Sequence, residues 1–254
     1  MYFVNWQKDI SIEELNGQKV VVKRDKSTKD FHEYLLISVY TLISILLGHP
    51  SSPPLVGKMA INNEGYTMRG NLGQLGIPTP RLISISDTEL IEEYIEGGDL
   101  YRAFSEGKDT LLLAFQAGAL TGKLHKAGYV FIDNKSQNYL VRSDSLVVRT
   151  DLGFMQKKDS IFSRSMDIGS FLASVIDFES FQYGAIEKAF FDGYRSEMKQ
   201  YFPYLYIILR NMLSLGFASN QAAMFRNMFV ISTKAYESKE GSRRKRKNYI
   251  TTWK

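Results

Sequence analysis

The chain has 254 residues and a formal net charge of +5, with 44% apolar and 23% charged residues. This length supports one or two domains with a sizeable core, and the composition is typical of soluble globular proteins. With no cysteine and only three histidines, disulfides and thiolate metal sites are excluded, and a histidine-rich metal centre is disfavoured. No N-terminal signal peptide is visible, so we expect a cytoplasmic protein without membrane attachment.

Residues 1–95 are predicted to form a small β-rich lobe. Strand-like residues 10–12 and 19–23 flank Asn16-Gly17, a dipeptide typical of hairpin turns. Lys23 ends an apolar, β-branched strand. A lysine at that position can pair with the α- and β-phosphates of ATP.

The apolar stretch at residues 35–47 invites a membrane interpretation. It is too short to cross a bilayer, which needs about 20 residues. Ser38, Thr41 and Ser44 also interrupt it at a spacing of three residues. This pattern favours a helix that is largely buried in the protein over an interfacial anchor.

A second strand pair is predicted at residues 81–85 and 89–95, with its turn at Asp87. Turn-rich segments at residues 49–54 and 75–80 are predicted connectors. The segment Glu96-Gly-Gly-Asp99 is predicted to be the hinge into a helical lobe that spans residues 96–240.

The segment after the next predicted helix, residues 113–127, has a distinctive polar spacing. Asp133, Lys135, Asn138 and Asp151 follow the pattern Asp-x-Lys-x-x-Asn, then Asp-x-Gly, with two short strands between. Phosphoryl transfer requires this set, because one carboxylate orients the acceptor hydroxyl while an amide and a second carboxylate hold metal ions. We therefore expect Asp133 to be catalytic, with ATP as substrate and Mg²⁺ or Mn²⁺ held by Asn138 and Asp151. The sequence predicts an α+β, two-lobed protein-kinase-like fold.

The rest of the chain is predicted to be mostly helical. Asp167 is expected to open a helix, and residues 186–201 and 202–215 have amphipathic spacing. The basic run at residues 243–247 lies in a tail, residues 241–254, that is either an RNA-binding element or a solvated end.

Four segments resemble the small kinase of the KEOPS tRNA-modification complex, the PRPK family. They are Leu75-Gly-Ile-Pro-Thr-Pro-Arg81, Glu93-Tyr-Ile-Glu-Gly97, Leu124-His-Lys-Ala-Gly128 and Phe191-Asp-Gly-Tyr-Arg195. The resemblance implies that Glu93, Tyr94 and Ile95 form the hinge against adenine. It also implies that Asp167 braces the catalytic loop, that the basic tail has a counterpart, and that a KEOPS-like protein partner exists.

Three features depart from that family. Phe131-Ile132-Asp133 stands where the family has His-Gly-Asp, and Phe131 is expected to replace the histidine by packing. Lys135 instead follows the pattern of Ser/Thr protein kinases, in which this lysine meets the γ-phosphate. Residues 6–9 contain no glycine for a phosphate-binding loop.

Two acids are candidates for the partner of Lys23, namely Glu64, which we favour, and Glu33. Few residues separate Asp151 from Asp167, which predicts a short activation segment with Ser160, Ser163 and Ser165 as possible autophosphorylation sites.

Three functions remain in competition. The first is an atypical Ser/Thr kinase or ATPase with an unknown protein substrate, the second a small-molecule phosphotransferase, and the third a degenerate kinase fold that only binds a partner.

Overall fold

The structure is a computed structural model that describes residues 8–25, 29–56 and 58–229. Its N-terminal part contains a four-stranded antiparallel sheet in the order β1-β2-β4-β3. The strands are β1 (Lys8–Leu15), β2 (Gln18–Asp25), β3 (Leu82–Ile85) and β4 (Glu89–Glu93). Asn16 and Gly17 connect β1 to β2 with φ of 52° and 76°, the left-handed geometry that a two-residue hairpin turn needs. Both predicted strand pairs are confirmed.

Three helices lie between β2 and β3, namely α1 (Lys29–Leu46), α2 (Lys58–Asn63) and α3 (Tyr66–Gln74). The prediction that α1 is largely buried is wrong. Tyr40, Ile43 and Ser44 are buried, but the opposite face of α1 is exposed. Small polar residues interrupt the stretch only at Ser38, Thr41 and Ser44, so its composition did not show that the described part of the protein covers one side of the helix and leaves the other exposed.

The C-terminal part is mainly helical, as predicted. Its helices include α4 (Leu100–Ser105), α5 (Thr110–Lys126), α6 (Ile161–Ala173), α7 (Ser180–Glu197) and α8 (Pro203–Phe217), and residues 221–229 are also helical. Two small antiparallel pairs join β5 (Tyr129–Val130) to β8 (Gln156–Lys157) and β6 (Tyr139–Val141) to β7 (Val147–Arg149). Helices α5 and α7 approach each other closely, because Gly118 and Gly193 have no side chain at the contact. A Cβ on either glycine would collide with a carbonyl of the other helix.

Asp167 lies in the middle of α6 instead of at its start, so that prediction is wrong. The helix begins at Ile161, because the Ser160 hydroxyl caps it by accepting a hydrogen bond from the backbone N–H of Ser163 at 3.0 Å.

The main core lies in the helical part and is dominated by aliphatic and aromatic side chains of α5, α6 and α7. A second cluster joins Tyr40 and Ile43 of α1 to Ile132, Phe162 and Leu209. The structure is thus an α+β, two-lobed, kinase-like fold in which α1 packs on the helical lobe. Within the described residues, none of the helices has the length and apolar character needed to cross a bilayer. The boundary at residue 95 and the tail from residue 241 remain predictions.

Candidate active site

Asp133, Lys135 and Asn138 converge in the loop between β5 and β6. A single 3₁₀ turn, Ser136–Asn138, folds this loop back on itself. The Lys135 ammonium nitrogen lies 2.9 Å from Asp133 Oδ2. The Asn138 amide donates to Asp133 Oδ2 at 3.1 Å and to the Asp133 carbonyl at 2.9 Å. Asp133 and Lys135 each keep a quarter of their side-chain surface exposed, so an incoming group can reach them.

The charges in this loop stabilise one another. Burial alone would raise the pKa of the Asp133 carboxyl, but Lys135, Arg149 and the Asn138 hydrogen bond together hold that pKa below its usual value. Burial likewise opposes the charged form of Lys135, yet the Asp133 and Asp151 carboxylates raise its pKa. At neutral pH the loop therefore presents the Asp133 carboxylate beside the Lys135 ammonium group. The Asp151 carboxylate is close enough to stabilise the charge of Lys135.

The backbone is strained at two points next to these side chains. Ile132 and Asp151 have φ of 69° and 57°, in the left-handed region that non-glycine residues rarely adopt. For a β-branched residue such as Ile132 this conformation costs roughly 1–3 kcal/mol and persists only where the surroundings impose it. Strain of this kind is concentrated at functional sites.

Asp167 supplies the restraint at Ile132. Its carboxylate accepts hydrogen bonds from the backbone N–H groups of Phe131 and Ile132, both at 2.7 Å. The same carboxylate lies 3.0 Å from Nε2 of His125, whose Nδ1 is 2.9 Å from the Tyr194 hydroxyl. Asp167 therefore occupies the bracing position that the sequence resemblance implied, through a buried chain from α5 to α7.

Arg149 is a second brace, which the sequence analysis missed. This side chain is fully buried and donates to the carbonyls of Asn138 at 2.7 Å and Asp133 at 2.8 Å. Its guanidinium carbon lies 4.3 Å from the ring centroid of Phe131 and 5.0 Å from that of Tyr139. Phe131, which stands where the resembled family has a histidine, thus packs beside the loop of Asp133 as an aromatic surface for a cation.

Lys23 lies on β2, an interior strand of the sheet, and belongs to a buried polar cluster. Its ammonium nitrogen is 2.7 Å from Glu92 Oε1 and donates to the Thr150 hydroxyl at 3.0 Å. Glu92 Oε2 also pairs with Arg69 of α3 at 2.7 Å. Burial would raise the pKa of the Glu92 carboxyl, but Lys23 and Arg69 hold it below its usual value. Thr150 precedes Asp151, so this cluster joins the sheet to the second carboxylate.

Glu64, the favoured partner of Lys23, lies in the break between α2 and α3. It is buried, and its Oε2 is 3.6 Å from Arg69. The neighbouring Asn63 donates to the carbonyls of Gly153 and Met155, which ties this break to the segment that follows Asp151. The pairing of Lys23 with Glu64 stays a prediction. Glu92, which sequence reasoning did not single out, is an observed partner. The side chain of Glu33 lies outside the described residues.

The predicted hinge runs from the end of β4 into α4. Glu93 is the last residue of β4, and Tyr94 and Ile95 follow it before the turn at Gly97 and Gly98. A Cβ on Gly97 would collide with the Val141 carbonyl, so only glycine lets the hinge approach β6. This contact places the predicted hinge beside β6, the strand that follows the loop of Asp133. The role of these residues in adenine binding stays a prediction.

The segment from Asp151 to α6 is short, as predicted, and β8 pairs it with β5. Of the serines suggested as phosphate acceptors, Ser163 and Ser165 are buried, with 0% and 1% exposure. The Ser163 hydroxyl lies 2.8 Å from that of Tyr40 and 2.7 Å from that of Ser160. In this conformation neither buried serine can accept a phosphoryl group, and Ser160 alone is partly accessible.

The side-chain oxygens of Asn138 and Asp151 are of the kind that a hard cation prefers. Asp151 offers a carboxylate and Asn138 an amide oxygen, since its amide nitrogen is directed to Asp133. Mg²⁺ is usually held by one or two such protein oxygens together with substrate phosphates. The described residues hold no cluster of three or more His, Cys, Asp or Glu side chains placed to bind a metal. The residues therefore fit a cation that a bound nucleotide helps to hold.

No model of a known protein family matches the chain. Among curated proteins it is similar to two named as probable bifunctional tRNA threonylcarbamoyladenosine biosynthesis proteins. The one from Methanocaldococcus jannaschii is 26% identical over 123 residues, which cover 48% of this chain and 22% of the relative. The one from Methanocorpusculum labreanum is 28% identical over 119 residues, which cover 47% and 21%.

A third relative is the EKC/KEOPS complex subunit BUD32 of Encephalitozoon cuniculi, 31% identical over 88 residues, or 35% of this chain and 45% of the relative. Over part of its length the chain is thus similar to proteins whose names place them in the KEOPS complex or in tRNA threonylcarbamoyladenosine biosynthesis. This relationship confirms the resemblance inferred from the sequence segments. The matched part spans about a fifth of each archaeal relative and less than half of the Encephalitozoon protein.

Proposed function

We propose that this chain is an atypical kinase or ATPase of the KEOPS type, which transfers the γ-phosphoryl group of ATP to a Ser/Thr hydroxyl or to water. The observation that carries the proposal is the loop in which Asp133 lies 2.9 Å from Lys135 and 3.1 Å from Asn138. The strained backbone at Ile132 and Asp151 flanks this loop. The names of the relatives and the two-lobed fold support the same assignment.

In this proposal Asp133 orients the acceptor hydroxyl and accepts its proton as the new bond to phosphorus forms. A carboxylate suits this role without an unusual pKa, because phosphoryl transfer depends mainly on positioning and charge neutralisation. Lys135, which already pairs with Asp133, neutralises the γ-phosphate. Asn138 and Asp151 hold Mg²⁺ or Mn²⁺, which supplies charge neutralisation for the phosphate oxygens when bound.

Lys23 pairs with the α- and β-phosphates, and the hinge of Glu93, Tyr94 and Ile95 receives adenine. Glu92 lies 2.7 Å from Lys23, so the phosphates share this ammonium with a buried carboxylate, as they do in protein kinases, where a glutamate holds the lysine in place. We nevertheless expect weak ATP binding, because residues 6–9 contain no glycine for close backbone approach to phosphate. Residues 6 and 7 lie outside the described structure.

Label transfer from [γ-³²P]ATP in the presence of Mg²⁺ tests the proposal. Label on protein hydroxyls or in released phosphate supports it, whereas label on added sugars or aminoglycosides indicates the small-molecule phosphotransferase. If the folded protein neither binds nor turns over ATP, the chain is a kinase-fold binding module. Lys135 and the segment Glu93–Gly97 favour the first outcome.

Two partners follow from the similarity and from the charge of the tail. The first is a KEOPS-like protein. The second is RNA, bound by the basic run at residues 243–247, which lies outside the described residues. Phosphate contacts release counterions, so RNA binding through the tail should weaken steeply with salt. Truncation after Glu240 should lower tRNA affinity at low salt and leave ATP turnover unchanged. Equal tRNA binding by both forms would refute this role.

A further inference from the structure

The exposed face of α1 carries a continuous row of large apolar side chains, which we name the α1 stripe. Each side chain of the stripe is between 43% and 71% exposed. The members are Phe31, Tyr34, Leu35, Val39, Leu42, Ile45 and Leu46. Their spacing of three and four residues places them on one side of a helix. The other side of α1 is already occupied, since Tyr40 and Ile43 pack against α6 and α8.

The α1 stripe differs from ordinary surface in its lack of charge. No charged residue occurs from Tyr34 to Leu47, so a polar face cannot shield the stripe. Seven side chains of this size and exposure present on the order of 700 Å² of apolar surface, above the few hundred Å² usual for exposed patches. A patch of this size marks an interaction surface.

We propose that the α1 stripe packs against the same stripe of a second copy of the chain, in an antiparallel, two-fold symmetric dimer. A surface without charge places no electrostatic demand on its partner, and an apolar stripe is complementary to itself. A dimer that covers the stripe buries at most about 700 Å² of it per copy, which approaches the roughly 800 Å² per partner of a standard protein interface. In a two-fold interface each residue near the axis faces its own counterpart.

The middle of the stripe can accommodate that geometry. Ser38 is exposed between Tyr34 and Leu42 on the same side of the helix. Its small side chain permits the axes of two helices to approach to about 8–10 Å, the usual packing distance. The larger members on either side, Tyr34 and Leu42, then pack across the two-fold axis. The interface does not involve Asp133 or Lys23, so the dimer can be confirmed or refuted independently of the proposed function.

The first test compares the molar mass of the full-length wild type with that of the double variant Leu42→Glu, Ile45→Glu, by analytical ultracentrifugation over a range of concentrations. Both side chains are exposed, at 57% and 58%, so the monomer should keep its fold, which circular dichroism and thermal melting verify. We expect a dimer in the wild type, weakened at least about 100-fold in the variant because unpaired carboxylates would be buried. Phe181→Glu, at a 90% exposed position on α7, is the matched control and should leave the dimer intact.

The second test uses the absence of cysteine from the chain. In the proposed dimer, Ser38→Cys should form a disulfide across the two-fold axis under mild oxidation. Ser105→Cys, at an exposed position at the end of α4, should not. This arm keeps the apolar surface intact and remains informative if the charged variant fails to fold.

A wild type that stays monomeric up to its highest soluble concentration overturns the proposal, whether or not it binds vesicles or another protein. A dimer that withstands the double substitution, or one that Ser38→Cys does not cross-link, also overturns it.

Discussion

Replacement of Arg149 by methionine tests whether this residue holds the catalytic loop in place. Methionine keeps much of the buried volume but removes the charge and both hydrogen bonds, to the carbonyls of Asn138 and Asp133. Each carbonyl accepts a second hydrogen bond, from Thr150 N–H at 3.0 Å or from the Asn138 amide at 2.9 Å, so neither is left without a donor. The loss is therefore two charge-assisted hydrogen bonds of about 1.5 kcal/mol each.

A loss of about 3 kcal/mol should lower the melting temperature of a chain of this size by about 6–12 °C. Turnover should fall by about 10-fold or more, because misplacement of a reacting group by a fraction of an ångström is costly. The KM for ATP should change little, since Lys23 and the hinge are not touched. Arg149→Lys keeps the charge but not the planar fork, so it should lie between the wild type and Arg149→Met.

Differential scanning fluorimetry and steady-state ATP turnover measure the two effects. Turnover and melting temperature that are both unchanged in Arg149→Met would refute the bracing role. A lower melting temperature with full turnover at a temperature where the variant stays folded would show that Arg149 stabilises the fold without positioning the loop.

Three further substitutions test the surroundings of the site. Glu92→Gln removes the negative charge between Lys23 and Arg69, and loss of one partner of a buried ion pair costs about 3–5 kcal/mol. Its melting temperature should fall, and unchanged stability would mean that the pair contributes nothing. Gly97→Ala should destabilise the protein by at least about 1–3 kcal/mol through overpacking against the Val141 carbonyl, whereas Gly73→Ala in open space on α3 should be neutral or stabilising. Burial lowers the pKa of Lys158 to about 8 from 10.5. The unfolded chain therefore binds the proton more tightly than the folded one. The cost of burying the charged group is relieved as the pH rises from 8 to about 10.5, so the free energy of unfolding increases over that range. The difference in melting temperature between the wild type and Lys158→Met should shift in favour of the wild type over that window, and a constant difference would contradict the assignment.

The convergence of the polar side chains in one loop could be predicted because the pattern is local in sequence, while their catalytic role stays a prediction. Asp133, Lys135 and Asn138 lie within a few residues of one another, and the flanking helix and strands have clear periodicity. The hairpin at Asn16-Gly17 was equally local, because this dipeptide adopts the left-handed turn that its strands require. Features that a short window specifies were the ones that the sequence predicted correctly.

Glu92 and Arg149 were missed because their partners come from distant elements. A signal for Glu92 existed in the sequence. Alternation along β4 places it on the same face as the buried Leu90, and a charged residue at a core position requires a buried partner. Arg149 likewise follows two buried valines in β7. The identity of the partners, however, depends on how the sheet and the helical part meet, which periodicity does not describe.

The error at α1 has a different cause. Its apolar stretch is too short to cross a bilayer and carries few polar residues, so we expected most of the helix to be buried within the protein. The described protein covers one face, with Tyr40 and Ile43, and leaves Leu42 and Leu46 exposed. The composition of a helix indicates that its apolar surface needs a partner, but it does not indicate whether the same chain provides that partner.

Phosphoryl transfer at the loop of Asp133 is tested most directly by the turnover of Asp133→Asn in the presence of Mg²⁺ and ATP. The substitution keeps the shape of the side chain but removes the group that would orient the acceptor and take its proton. We expect turnover to fall by about 100-fold or more, with Mg-ATP affinity nearly unchanged. Asp87→Asn, at the exposed β3–β4 turn, should behave as the wild type. Full turnover in Asp133→Asn would contradict the assignment of this loop as a phosphoryl-transfer site.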